Sequence, residues 1–292
     1  MTPKEISAGG DPHFLGFFES FSFMGACDLL LLSVPTHHVQ IHIRTTIQSD
    51  FSYISGIAAI FGSDIIEVKT NGSVWINKEL AFGNSASAEN VHHLPRSQIQ
   101  IKQSFKGKKH NIIVYDIDLQ NNLSLEFRAN LKNHMLFIGT HGIFPAGTTG
   151  LLGSPTMKGL WSRTSGPDEA SVNMVGGDTD IYSETWQIRP GEDTKLFMDD
   201  REPQFPLTCV YPTGVNINMK DEHITSSKTK LRGRKLLDDV DAYAVGVGKK
   251  YKVTMDAAKE ACRGISGVKL EFCLEDTMRT GDLNLSLDEF YR

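Results

Sequence analysis

From Phe14 to Phe137 the chain alternates apolar and polar residues in short runs. Val39-Gln40-Ile41-His42-Ile43-Arg44 and Leu123-Ser124-Leu125-Glu126-Phe127-Arg128 put every second side chain on one face, the period of a half-buried strand. Ile65–Val68, Ser73–Asn77 and Ile112–Asp118 are further strand candidates, rich in β-branched residues. Leu29–Val34 is apolar except for Ser33 and predicts a buried strand. Turn residues punctuate these runs at Lys69-Thr70-Asn71-Gly72 and Gln120-Asn121-Asn122. Many short strands without a long helical period predict a mainly β chain built as an antiparallel β-sandwich. Residues 140–182 are rich in Gly, Ser, Thr and Pro and predict ordered loops packed on one end of it.

The pattern changes after Pro212. Residues 213–253 are polar and charged and read as a solvated linker; the run Lys230-Leu231-Arg232-Gly233-Arg234-Lys235 offers a dibasic processing site as the alternative. Thr254 is placed to cap a helix over Met255–Arg263, Gly264 and Gly267 end it, and a second helix is expected over Lys269–Met278. The organisation expected is therefore a β domain followed by a linker over 213–253 and a small helical subdomain over 254–292. That hairpin is too small to hold by core burial alone, and a disulfide between Cys262 and Cys273 would staple it. Thr280–Phe290 has the cadence of half an EF-hand loop, but Leu287 falls where the loop needs glycine. A helix cap followed by a short amphipathic turn is the expectation there.

Composition narrows the function classes. A net charge of -5 over 292 residues gives no reason to expect nucleic acid as a partner. No run approaches the roughly 18 apolar residues of a membrane-spanning helix. Four cysteines, Cys27, Cys209, Cys262 and Cys273, divide into two pairs; disulfides in an oxidising compartment are expected, with buried free thiols as the alternative. Met1–Gly9 is polar and carries no signal-peptide core. The sequons at Asn71, Asn122 and Asn284 are compatible with secretion.

One string carries chemistry. In Gly10-Asp11-Pro12-His13 the Asp11 carboxyl can attack its own carbonyl through a five-membered ring, and the tertiary Pro12 nitrogen leaves once protonated. His13, titrating near neutrality, is placed to supply that proton. The alternative is a plain turn into the next strand. The longer string GDPHFLGFFESFSFMGACDLLLL resembles the start of a von Willebrand factor type D domain. Gly147-Thr148-Thr149-Gly150-Leu151-Leu152-Gly153-Ser154 then sits at that family's CGLCGN segment, Thr185-Trp186-Gln187-Ile188 at its Trp-x-Val strand, and Cys209 at its closing cysteine. The resemblance spans about residues 9–212. It implies an extracellular module of two packed sheets, with the N-terminal strand running back to later segments and Cys27 paired with Cys209. Some members with this tetrapeptide cut themselves at Asp–Pro in mild acid. Thr149 and Leu152 replace the family's two CGLCG cysteines. The family's calcium site does not carry over: Phe18 or Glu19 stands at its early Asp, and Ser154-Pro155-Thr156 replaces its usual ligands. Asp178 and Asp180 remain as calcium candidates, short of the six to eight oxygens such an ion takes.

Elsewhere the chemistry is sparse. His37, His38 and His42 cluster at one strand entry, with no second pair of soft ligands nearby in sequence, and are read as surface histidines rather than a zinc site. Gly147–Gly153 lacks the Gly-Lys-Ser/Thr ending of a phosphate loop. No nucleophile elbow or Cys/His catalytic spacing occurs, and nothing asks for a cofactor. Three functions are weighed: an extracellular structural or adhesive module making protein–protein, matrix or self contacts; a self-processing protein cleaving Asp11–Pro12 and crosslinking through Asp11; and a hydrolase with an unrecognised site.

Overall fold

The computed structural model describes residues 3–10, 12–48, 51–83, 90–106, 111–119, 122–163, 179–189, 192, 195–197, 209–212, 253–281 and 283. Fourteen strands run in order: β1 (Lys4–Gly9), β2 (His13–Leu15), β3 (Ser20–Ser22), β4 (Asp28–Val34), β5 (Val39–Gln48), β6 (Phe51–Phe61), β7 (Asp64–Lys69), β8 (Val74–Ile76), β9 (Glu79–Phe82), β10 (Asn90–His93), β11 (Gln100–Lys106), β12 (Ile112–Asp118), β13 (Ser124–Asn130) and β14 (Met135–Gly142). They form an eight-stranded sheet, β10-β11-β12-β13-β14-β1-β2-β3, and a six-stranded sheet, β4-β5-β6-β7-β8-β9. Ile41, Ile43, Ile57 and Ala59 of the smaller sheet share one core with Phe127, Ala129, Leu136 and Ile138 of the larger. The expected antiparallel, mainly β architecture is what the chain adopts, and the anticipated strands correspond to β4, β5, β7, β8, β12 and β13, with Ser73 and Asn77 falling just outside β8 and Leu123 just before β13.

The other eight strands were not singled out in the sequence, and for two of them, β6 and β1, the reason is identifiable. Gly56 to Ala59 in β6 is buried on both faces, so period two vanishes there. β1 is short and carries small residues; only Ile6 and Ala8 mark its inner face. It is nonetheless an interior strand, paired antiparallel with β14 along all of Lys4–Gly9 and with β2 over Ser7–Gly9. The β unit thus takes in residues ahead of the expected start at 9.

β4 lies at the end of its sheet yet is buried at every position. On one side it pairs with β5. On the other, three later segments supply the missing backbone partners. Ser33 and Thr149 exchange N–H···O bonds of 2.7 and 3.0 Å, and Leu151 N–H donates to Leu30 O at 3.0 Å. Leu30 N–H donates to Trp186 O, and Ile188 N–H to Asp28 O, each at 2.8 Å. Ala26, just before β4, exchanges bonds of 2.7 and 3.1 Å with Val210. Gly150 (φ +141) passes so close that a Cβ would lie 2.4 Å from Leu31 O, so the glycine-rich segment covers a strand edge. Its neighbour α1 (Thr179–Thr185) is a helix where loop and strand were expected; only Gln187, beyond it, makes a β-bridge, to Leu29. Tyr182 of α1 donates its hydroxyl to Leu151 O at 2.8 Å.

The chain divides into two compact units, one covering 1–105, 110–174 and 178–215, the other 216–292 with the short stretches 106–109 and 175–177. Within the second, α2 (Met255–Ala261) and α3 (Val268–Thr280) form the expected hairpin. Thr254 Oγ1 accepts from Ala257 N–H at 3.3 Å, Gly264 and Gly267 take positive φ, and Cys262 is bonded to Cys273 with Cα atoms 6.0 Å apart. Residues 213–252, with the basic run 230–235, lie outside the described residues, as does nearly all of the stretch after Gly281.

Cys27 is bonded to Cys209, Cα to Cα 5.0 Å, across a sequence separation of 182. Replacing both by alanine is expected to lower unfolding free energy by about 5 kcal/mol, the chain-entropy value for so long a loop. Urea midpoints of the oxidised parent and the double variant check this.

Candidate functional site

The sequence-predicted site is the turn that joins β1 to β2. Asp11 lies outside the described residues; Gly10 precedes it with φ +64, and Pro12 and His13 come after it, both buried. Pro12 O accepts from Phe23 N–H at 3.0 Å, and His13 Nδ1 lies 2.8 Å from Ser22 Oγ on β3. His13 pairs in register with Gly9 on β1 and with Ser22. The Asp11–Pro12 bond therefore interrupts a hairpin whose first strand is held on both sides. Phe14 stacks on Phe21, centroids 5.0 Å apart, and Phe21 meets Tyr182 edge-on at 5.4 Å.

Of the calcium candidates Asp178 and Asp180, only Asp180 is among the described residues. Its Oδ1 faces Met24 N–H at 3.5 Å in the first turn of α1. Among the described residues no group of three or more His, Cys, Asp or Glu is placed to hold a metal ion. Of the sequon asparagines, Asn71 and Asn122 are exposed at turns. Asn71 Oδ1 accepts from Ser73 N–H and Oγ at 2.9 and 2.8 Å.

A second constellation went unread in the sequence. Period two places Gln40, His42 and Arg44 on the outer, polar face of β5, where solvent is the natural expectation. In the fold that face is covered. Arg44 grips Asp28 of β4 through Nε–Oδ1 at 2.6 Å and Nη2–Oδ2 at 2.7 Å, with both residues buried. The Phe197 ring lies 4.2 Å from the Arg44 guanidinium carbon, and Leu196 and Phe197 pack on Ala58. Arg163 donates to Gln187 O and to Glu192 Oε2, both at 2.9 Å.

His42 corrects the surface reading most sharply. His37 and His38 belong to a short 3₁₀ turn and its left-handed end, and His38 is exposed. His42 is 0% exposed, and neither ring nitrogen has a hydrogen-bond partner among the described residues. Burial pushes its pKa from 6.5 down to about 3; the Arg163 charge adds to the fall and Glu192 opposes it. The ring is thus neutral in the folded protein at any ordinary pH. No signal in the local sequence marks these residues, because the covering groups arrive from far along the chain.

Asp64 shows a different solution to a buried charge. Its Oδ2 accepts from Arg96 and Ser97 N–H at 2.9 and 2.7 Å, and Oδ1 from Asn77 Nδ2 at 2.8 Å. Burial alone would raise its pKa, but these bonds together outweigh that and lower it. The carboxylate ties β7 of one sheet to the turn before β11 of the other. Neither a scan of protein-family models nor a search of curated proteins returns a match to this chain.

The covered face sets two expectations. An unfolded histidine takes a proton below about pH 6.5, which His42 refuses until about pH 3, so its share of stability is complete above 6.5 and is lost progressively as pH falls from there. By pH 5 the loss is about 2 kcal/mol; denaturation curves at pH 7.5 and 5 should show this component disappear in His42→Leu. Arg44→Met alone strands Asp28 and is expected to cost about 3–5 kcal/mol, whereas Asp28→Leu with Arg44→Met recovers much of it, as paired melting curves would report.

Proposed function

We propose that this chain is an extracellular structural or adhesive module that works by contact with proteins or matrix and turns over no substrate. The observation that carries the reading is the pairing of all four cysteines, with Cys27–Cys209 closing a loop around nearly the whole β unit. Such a pairing suits an oxidising compartment. The exposed positions of Asn71 and Asn122 suit the same compartment as glycan acceptors. Contact surface is offered by β9 and β10, which among the described residues end the two sheets and expose Leu80 and Val91; sheet edges are where a further strand adds. The resemblance of the GDPHF string to von Willebrand factor type D domains points the same way. No helix among the described residues is long and apolar enough to cross a membrane.

Thiol trapping on protein taken from its native source is the first test: no cysteine should alkylate before reduction. The unreduced chain should then bind an immobilised extracellular-matrix fraction saturably, and lose binding after reduction. Free thiols in the native material, or no matrix binding, would refute the module.

The hairpin supports a second reading, self-processing at Asp11–Pro12. The carboxylate oxygen of Asp11 attacks its own carbonyl carbon, the bond to Pro12 nitrogen breaks, and that nitrogen takes a proton from the His13 imidazolium. The cyclic anhydride left on Asp11 is opened by water to two carboxyls, or by an amine or hydroxyl to a crosslink and one carboxyl. Because β1 is an interior strand, its pairing with β14 and β2 remains available after the cut. Mass spectrometry at pH 5–6 should find the cut in folded protein and find it slowed in Asp11→Asn and in denaturant. Equal cutting of folded and denatured chains would leave only generic acid lability.

A further inference from the structure

We infer that the slot between β14 and β2 is a binding site for an extended strand, and that its partner is β1 of a second copy of this chain. The inference goes beyond the adhesive reading and stands or falls separately from it. The slot is defined by what fills it. β1 pairs with β14 from Lys4↔Gly142 to Gly9↔Phe137 and with β2 from Ser7↔Leu15 to Gly9↔His13. Removing it leaves two strand edges facing each other across one strand's width, each with unpaired backbone groups. Any occupant must restore both ladders, which only an extended chain does.

Selectivity comes from few side chains. Ile6 is the single large residue of β1 that is wholly buried, with Ala8 beside it at 2% exposure. Gly9 is obligatory, because a Cβ there would lie 1.9 Å from the Phe137 ring. The site therefore reads an extended Ile-x-Ala-Gly, and β1 of another copy meets that requirement as well as the resident strand does. Most of the hold on β1 is backbone pairing, identical whether the strand comes from the same chain or another. What favours the resident strand is the tether through residues 10–12, an effective-concentration advantage that falls as protein concentration rises.

The hinge that an exchange needs is that same tether between Gly10 and Pro12. Opening the hinge lets β1 reach a neighbour's slot while every native pair is remade there, the route by which identical elements exchange at low cost.

The test mixes two full-length variants that cannot crosslink within themselves. Ser7 and Gly139 are register partners, and a Cβ at Gly139 meets nothing within 4 Å. One chain carries Ser7→Cys and the other Gly139→Cys. After incubation together at high concentration just below the unfolding midpoint, mild oxidation should yield a covalent heterodimer. Its tryptic map should contain a disulfide-linked peptide joining position 7 of one chain to position 139 of the other. The yield should rise with concentration, and adding Gly9→Val to the Ser7→Cys chain should reduce it at least tenfold. Absence of that linked peptide from two variants that melt like the parent would overturn the inference. So would a yield indifferent to Gly9→Val, since random collision needs no slot. The crosslink does not report matrix binding, so a failure of exchange and a failure of adhesion remain separate results.

Discussion

A strand with no exposed residue must satisfy its backbone on both edges, and β4 imposes that requirement on the rest of the β unit. Its sequence, Asp-Leu-Leu-Leu-Leu-Ser-Val, has no water-facing side, so each unmet N–H or C=O would cost on the order of 1–3 kcal/mol. One edge is met by β5 in the ordinary way. The other is met by three pieces of chain from distant parts of the sequence, around Thr149–Leu152, Trp186–Ile188 and, through Ala26, Val210. Segments with little internal regularity thereby acquire fixed positions. The glycines of the first permit close approach, α1 orients the second, and the disulfide at Cys209 fixes the third.

The same wrapping explains why the outer face of the smaller sheet is dry around Asp28, His42 and Arg44 although it is polar there. A salt bridge, a neutral imidazole and an arginine anchored to a carbonyl lie on that face, with Leu196 and Phe197 over part of it. Burial of this kind adds little net stability, since desolvation offsets most of the attraction. Its effect is selective: the bidentate grip of Arg44 on Asp28 is met in only one register of β4 against β5, a ladder that shifts between Leu30 and Leu32. A slipped register would leave two buried charges unpaired. The polar groups therefore specify alignment that four consecutive leucines, interchangeable in shape, do not.

Much of the architecture was legible in the sequence because period two is a local signal. β12 coincides with the predicted Ile112–Asp118, and the Thr254 cap and the glycine breaks of the helical hairpin arise from residues close together in the chain. The signals that failed were those that depend on distant chain. β6 hides its period because both faces are covered, and α1 occupies positions whose composition resembles a loop. His42 reads as exposed from its neighbours and is sealed within a face that Arg163, Gln187 and Glu192 help to build. The turn around Pro12 matches the plain reading of Asp-Pro as a local turn signal, whereas the β1 that precedes it gains its place from β14, far later in the chain. Local chemistry is written locally; burial is not.

The Cys27–Cys209 bond also sets how the β unit meets mechanical load. Force transmitted along the chain enters the β unit through its covalent links. Tension entering at Tyr211 reaches Cys209 and crosses directly to Cys27, where Thr45 both donates to and accepts from the Cys27 backbone. The load path therefore enters the sheet at the root of β4 and bypasses all the chain enclosed between the two cysteines. The wrapped segments at Thr149–Leu152 and Trp186–Ile188, which lie inside that loop, are shielded from peeling, and a reductant would turn the same pull into an unwinding of them from the C-terminal side, Trp186–Ile188 first.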